Sequence, residues 1–213
     1  MGYRTRMPPS NIRKSRKKRA GRGRTYLLGT LVLVLVIAIG WYVYASTQSV
    51  YAKLNTSQGV IEVELYQSKT PKTVTNFVNL ARSGFYDNLV WHRISKGFVI
   101  QTGDPNTRNV GDRSTWGRGG SSQTVPLEID ISLHNTIGYL AMARLSGDVN
   151  SGTSQFYINL GDNTKLDGDY TVFGRVISGI ETAYAISNVS TYTQGPYNEQ
   201  PIDPVSLTSI TIS

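Results

Sequence analysis

The sequence contains no cysteine, which excludes disulfides, thiolate nucleophiles and thiolate metal ligands together. Histidine is nearly absent too. His92 and His134 are the only two, 42 residues apart, with no carboxylate at a recognisable metal-ligand spacing. Both read as structural hydrogen-bonding residues, and no metal is expected. Serine hydrolysis lacks its Gly-x-Ser-x-Gly elbow, and the acids read as solvated strand edges and turn residues rather than as a catalytic pair. The Gly-rich stretch 103–122 lacks the Gly-Lys-Ser/Thr of a phosphate cradle, so it reads as a long surface loop. Acidic residues are missing from the first 24 positions, which hold ten of the 22 Lys and Arg. That leaves twelve basic residues against all 14 acids in the remainder, a net of −2, so the formal +8 belongs to the tail. The folded part has no compositional claim on a nucleic acid.

One hydrophobic run is long. Residues 26–45 (YLLGTLVLVLVIAIGWYVYA) carry no charge, and their length at about 1.5 Å per residue matches the roughly 30 Å hydrocarbon layer of a membrane. They predict a transmembrane signal-anchor helix. The basic tail 1–25 flanks its near end, and Trp41, Tyr42 and Tyr44 lie at its far end. This pattern predicts a single-pass protein of the cell membrane, with a cytoplasmic N-terminus and an extracytoplasmic domain. A cleaved signal ending at Val43-Tyr44-Ala45 is the alternative.

A short linker, 46–49, leads to a domain over 50–213. Residues 59–66 alternate, with Ile61, Val63 and Leu65 against Glu62 and Glu64, which predicts a half-buried strand. Thr70-Pro71 reads as an N-cap and first helical residue, and Val74, Phe77, Val78 and Ala81 form the apolar stripe of a helix ended by Gly84. Short apolar runs at 90–94, 98–102, 137–142, 156–160, 171–177 and 205–212 read as strands. Ser178 and Glu181 are spaced as a capping box for a second helix, with Ile180, Ala183 and Tyr184 on its apolar side. Many short strands with two distant helices argue for an all-β dominated, closed or nearly closed antiparallel barrel.

Candidate chemistry concentrates in 91–104, WHRISKGFVIQTGD. Alternation over 98–102 puts Val99 and Gln101 on one face, and Arg93 arrives from the preceding strand, so a cation, an amide and apolar groups converge. This segment resembles the signature of the cyclophilins, the cyclosporin-binding family of peptidyl-prolyl cis/trans isomerases, and their prokaryotic branch in particular. Two further blocks agree in order and spacing: 138–144 (GYLAMAR) leading to 153–159 (TSQFYIN), and 166–174 (LDGDYTVFG). The resemblance spans about 50–213.

It implies a closed eight-stranded antiparallel β-barrel with two capping α-helices, here preceded by the transmembrane helix, and an outer groove for proline-containing polypeptides. It implies Arg93 as the catalytic residue. Phe98, Val99, Tyr157, Leu166 and Tyr170 would form the proline pocket and its wall, and Gln101, Ala143 and Arg144 would hold the peptide backbone. No cofactor is implied. Departures from the family pattern are Val99 for a frequent Met, Tyr157 for Phe, Tyr170 for His, and Lys165 for the Trp associated with cyclosporin binding; Trp91 and Ser95 also depart. They bear on pocket shape and drug sensitivity, so weak cyclosporin binding is expected. The expected function is rotation about X-Pro bonds, assisting the folding of extracytoplasmic proteins. The alternative is a non-catalytic proline-peptide binding module on the membrane surface. A third reading makes the basic tail the working part, recruiting anionic lipid or nucleic acid.

Overall fold

A computed structural model describes residues 1–2, 29–40 and 49–213. The chain divides into two compact units, Met1–Ala45 and Ser46–Ser213. In the first, residues 29–40 form helix α1 with its side chains exposed. Among the described residues, no helix is long and apolar enough to cross a membrane. This corrects the expected transmembrane helix over 26–45, and with it the expected single-pass localisation in the cell membrane. The basic tail from residue 3 to 25, the aromatic residues Trp41, Tyr42 and Tyr44, the alternative cleavage site and the linker residues 46–48 lie outside the described residues.

The second unit begins with a hairpin of β1 (Val50–Thr56) and β2 (Gly59–Leu65), in which Thr56 lies opposite Gly59. The expected alternation is present: Ile61, Val63 and Leu65 are buried while Glu62 and Glu64 stay half-exposed. Helix α2 (Pro71–Arg82) buries Val74, Phe77, Val78 and Ala81 and has proline in its first turn, as the spacing predicts. Its cap differs. The Thr70 hydroxyl makes no capping bond. Instead Glu128 accepts from the backbone N–H groups of Lys72 (3.1 Å) and Thr73 (2.8 Å), placing a carboxylate against the positive end of the helix.

The other strands are β3 (Leu89–Val90), β4 (Arg93–Ser95), β5 (Val99–Thr102), β6 (Tyr139–Met142), β7 (Phe156–Asn159), β8 (Val172–Ser178) and β9 (Ser206–Ile212). Ser178 ends β8, so the capping box fails: Gly179, at φ 80°, is the N-cap of α3 (Ile180–Ser187). A Cβ there would strike the carbonyl of Val60. Ala183 and Ile186 form the buried side of α3, and Tyr184 is exposed.

All pairings are antiparallel, in the order β3-β9-β1-β2-β8-β6-β7-β5-β4. This corrects the closed eight-stranded barrel: among the described residues the sheet has nine strands and is open, since β3 and β4 end it and no ladder joins them. The extra strand has a local cause. The apolar run 90–94 is interrupted at Trp91 and His92, so Leu89–Val90 pairs with β9 and Arg93–Ser95 with β5. Trp91 is fully buried at the break and donates its backbone N–H to Val205 O at 3.0 Å. On β3, Val90 N donates to Thr107 Oγ1, and Thr102 Oγ1 donates to Val90 O, both at 3.0 Å.

Helix α2 packs against the sheet through Phe77. Its ring centroid lies 5.3 Å from Tyr86, 5.3 Å from Phe156 and 5.4 Å from Phe173. All four rings are fully buried, so truncation leaves a void that rigid neighbours cannot fill. Phe77→Ala is expected to lower the unfolding free energy of the full chain by about 3–5 kcal/mol in denaturant titration. A loss under about 1 kcal/mol would show that this cluster does not anchor the core.

Candidate active site

Directly opposed residues form a row across the strands: Arg93 faces Gln101, Gln101 faces Tyr157, Tyr157 faces Ala141, and Ala141 faces Val172. Neighbouring strands lie about 4.8 Å apart, so the row brings these side chains within reach of one small ligand. Alternation sends Ile100, Leu140, Phe156 and Ile158 into the main core. It leaves Val99, Ala141, Tyr157 and Val172 in a second apolar cluster with Leu133, against which Phe98, Ala143, Leu166 and Tyr170 pack part-buried.

A pocket of about 410 Å³ opens on that cluster, lined by Arg93, Phe98, Val99, Gln101, Ala143, Arg144, Tyr157, Leu166 and Tyr170. All nine residues singled out from the sequence are thus brought together. A larger groove of about 590 Å³, along α2 and residues 121–126, shares no residue with this pocket and has no aromatic lining. The nine candidate residues therefore gather at the smaller of the two.

Each polar group at the rim is held from behind. Arg93 Nε donates to Glu199 Oε2 at 2.7 Å, and its guanidinium carbon lies 5.7 Å from the centre of the Phe98 ring. Gln101 Nε2 donates to Gln155 Oε1 (2.8 Å), and Gln155 Nε2 donates to the carbonyls of Gly117 (3.1 Å) and Gly119 (2.6 Å). Arg144 Nε donates to Asp169 O at 2.8 Å and its guanidinium lies over Tyr170, 4.6 Å from the ring centre, so its side chain braces the wall. Tyr170 in turn meets Tyr157 edge-on at 5.9 Å.

The pocket floor rests on a polar chain. Tyr157 donates its hydroxyl to Asn135 Oδ1 (2.9 Å), and Asn135 donates from its backbone N (2.7 Å) and Nδ2 (3.0 Å) to Asp167 Oδ1. His134 Nδ1 lies 2.8 Å from the other Asp167 oxygen, as its structural reading anticipates. Burial would raise the Asp167 pKa, but the bonds from Asn135 and His134 outweigh it and hold the carboxyl below its usual range. Burial, reinforced by the charges of Tyr170 and Asp167, pushes the Tyr157 phenol upward, so it stays a neutral donor.

His92 also lines the pocket, yet it is 3% exposed, and neither ring nitrogen has a hydrogen-bond partner among the described residues. Other wall residues escaped the sequence reading: Trp116, Pro196, Asn198, Glu199 and Gln200. Glu199 stands 106 positions from Arg93 in a stretch without periodicity, and no local signal announces it. Gln155 was within reach, since it lies in the block 153–159.

An apolar pocket of this size, with a fixed cation and an amide at its rim, suits a short apolar group carried on a polypeptide. Residues 51–212 match the cyclophilin type peptidyl-prolyl cis-trans isomerase/CLD family. Peptidyl-prolyl cis-trans isomerase A of Dickeya dadantii is 38% identical over 191 residues, covering 87% of this chain and 96% of that protein. The mouse peptidylprolyl isomerase domain and WD repeat-containing protein 1 is 37% identical over 76% of this chain, which spans 24% of that longer protein. A crystal structure of a Cryptosporidium parvum cyclophilin type isomerase, obtained in the presence of the dipeptide Ala-Pro, superposes with a TM-score of 0.68 at 34% identity, covering 78% of this chain and 99% of that one. This chain belongs to the cyclophilin-type peptidyl-prolyl cis-trans isomerases and is an enzyme of that activity.

Burial pulls the His92 pKa down from 6.5 to about 4, against the opposing pull of Asp104. The unfolded chain takes up a proton as pH falls through 6.5, whereas the fold refuses it until about 4. The contribution of His92 to stability is therefore complete above pH 6.5 and is lost between 6.5 and 4. Denaturant titrations of the full chain should show a loss on the order of 3 kcal/mol across that window from this residue, and a shallower decline in His92→Gln. Equal slopes in the two proteins would refute it.

Proposed function

We propose that Arg93 is the catalytic residue of this isomerase and that the pocket beside it receives the proline ring of a polypeptide substrate. The carrying observation is the row Arg93–Gln101–Tyr157–Ala141, set against a single pocket that all nine candidate residues line. In this reading Phe98, Val99, Tyr157, Leu166 and Tyr170 enclose the ring, while Gln101, Ala143 and Arg144 hold the backbone on either side. The Ala-Pro dipeptide of the Cryptosporidium structure supports a proline-containing ligand.

Rotation about an X-Pro bond breaks no covalent bond. The barrier of about 18–20 kcal/mol is the loss of amide resonance. As the bond twists, the prolyl nitrogen regains lone-pair character and can accept a hydrogen bond that the planar ground state cannot. A guanidinium fixed beside it stabilises the twisted state selectively. A 10⁵-fold acceleration needs roughly 7 kcal/mol, shared among this bond, the backbone clamps and the apolar enclosure.

The isomerase domain is assigned to 50–213, with 1–25 as a separate basic tail. Its proposed role is to speed the folding of proline-containing proteins, whose X-Pro bonds otherwise interconvert in tens to hundreds of seconds. Tyr170 supports a place in the prokaryotic branch of the family.

Arg93→Ala in the full chain is expected to lower kcat/KM on a cis-enriched X-Pro peptide by at least about tenfold, with unchanged circular dichroism. Wild-type activity in the folded variant would sink the assignment.

Cyclosporin binding is proposed to be weak. Lys165 Nζ lies 5.3 Å from the centre of the Phe98 ring, a cation where an indole would offer both an apolar wall and an N–H donor. Lys165→Trp should tighten cyclosporin binding by about tenfold in titration; an unchanged affinity would mean that this position does not govern it.

A further inference from the structure

Strand β4 is three residues long and, among the described residues, pairs only with β5, at the end of the sheet. Arg93 therefore projects from an edge, with its side chain 41% exposed. A long cation so placed would sample many rotamers. Glu199 lies against it, accepting from Arg93 Nε.

One carboxylate grips two β4 side chains on the same face: Oε2 accepts from Arg93 Nε at 2.7 Å, and Oε1 accepts from Ser95 Oγ at 2.6 Å. Between them, the backbone N–H of Ile94 donates to Glu199 O at 2.7 Å. Glu199 itself is pinned by its own N–H, which donates to Tyr192 O at 2.8 Å. It holds this post at φ 66°, a left-handed conformation that a side chain disfavours and that the surrounding bonds enforce. The carboxyl is kept ionised: burial would raise its pKa, but the bonds from Ser95 and Arg93 and the charge of Arg93 more than reverse this.

The consequence lies in the geometry of the guanidinium. Its five N–H donors form a rigid planar fork. With Nε tied to Glu199, the plane is set, and the two Nη groups donate to no described residue. They remain as the donors at the pocket rim, beside the Phe98 ring.

We propose that Glu199 is a positioning residue for the isomerisation, a carboxylate clamp that fixes the Arg93 fork so that its Nη groups meet the prolyl nitrogen as it pyramidalises. This rests on the reading of Arg93 as the catalytic residue. The clamp spends part of the cation's charge on an internal partner and gains direction in return. Its effect therefore falls on the twisted state, where one hydrogen bond must be aligned, rather than on binding of the planar substrate.

The test is a four-protein cycle in the full chain: wild type, Glu199→Gln, Arg93→Ala and the double variant, with kcat and KM separated. Glu199→Gln keeps the shape and removes the charge. It should lower kcat by about fivefold while KM changes less than about twofold, and it should have no further effect in the Arg93→Ala background. A kcat equal to or above wild type would overturn the clamp. So would an equal loss in both backgrounds, which marks a purely structural role. Wild-type activity in Arg93→Ala alone is a different failure, since it removes the catalytic reading beneath. Should Glu199→Gln not fold, the Arg93 Nε–H signal of the wild-type protein decides by NMR: slow exchange with water is expected, and fast exchange would overturn the proposal.

Discussion

In the ladder that joins β4, β5, β7 and β6, successive residues point to opposite faces, and the register sets Arg93, Gln101, Tyr157 and Ala141 side by side. Core and site are two sides of that one arrangement. Ile100, Phe156 and Ile158 reach the aromatic cluster around Phe77, while Val99, Gln101 and Tyr157 reach the pocket. A one-residue slip of β5 or β7 would exchange the two sets and lose both. The packing that stabilises the fold is thereby the device that holds the pocket in register, so the site needs no separate scaffold.

The polar groups of the site are arranged economically. Gln101, Tyr157 and Arg93 each spend some hydrogen-bonding capacity on a partner behind them: Gln155, Asn135 and Glu199. Each of those partners is anchored in turn, Gln155 on the carbonyls of Gly117 and Gly119, Asn135 on Asp167, and Glu199 on Ser95 and the β4 backbone. A reaction that only twists a bond calls for donors fixed in advance, because no proton or electron transfer compensates for a group out of place.

Much of this was legible in the sequence, and the rest was hidden for identifiable reasons. Period-2 alternation revealed β2, and the stripe of Val74, Phe77, Val78 and Ala81 revealed α2. The block 91–104 with its two companions led to all nine pocket residues. What escaped depends on contacts between distant positions. Glu128 caps α2 from more than fifty residues away, and Glu199 meets Arg93 across 106. The break at Trp91 and His92 follows from competition between β9 and β5 for one apolar run, and hydropathy alone cannot see it. Gly179 displaced the Ser178 capping box because the chain there runs too close to Val60 for any side chain. The apolar run 26–45 illustrates the opposite error, in which composition suggested a span that no described helix provides.

An open sheet has two rims, and a rim with unused backbone groups is a template onto which another molecule's strand can add. Here the outward N–H and C=O of Val90 are taken by Thr107 and Thr102, and the outward N–H of Ile94 is taken by Glu199. The residue that steadies Arg93 thus also seals the seam beside it. Side chains and a loop carbonyl thus take up backbone groups that closure of the barrel would have paired, while the Arg93 side chain stays partly exposed at the pocket.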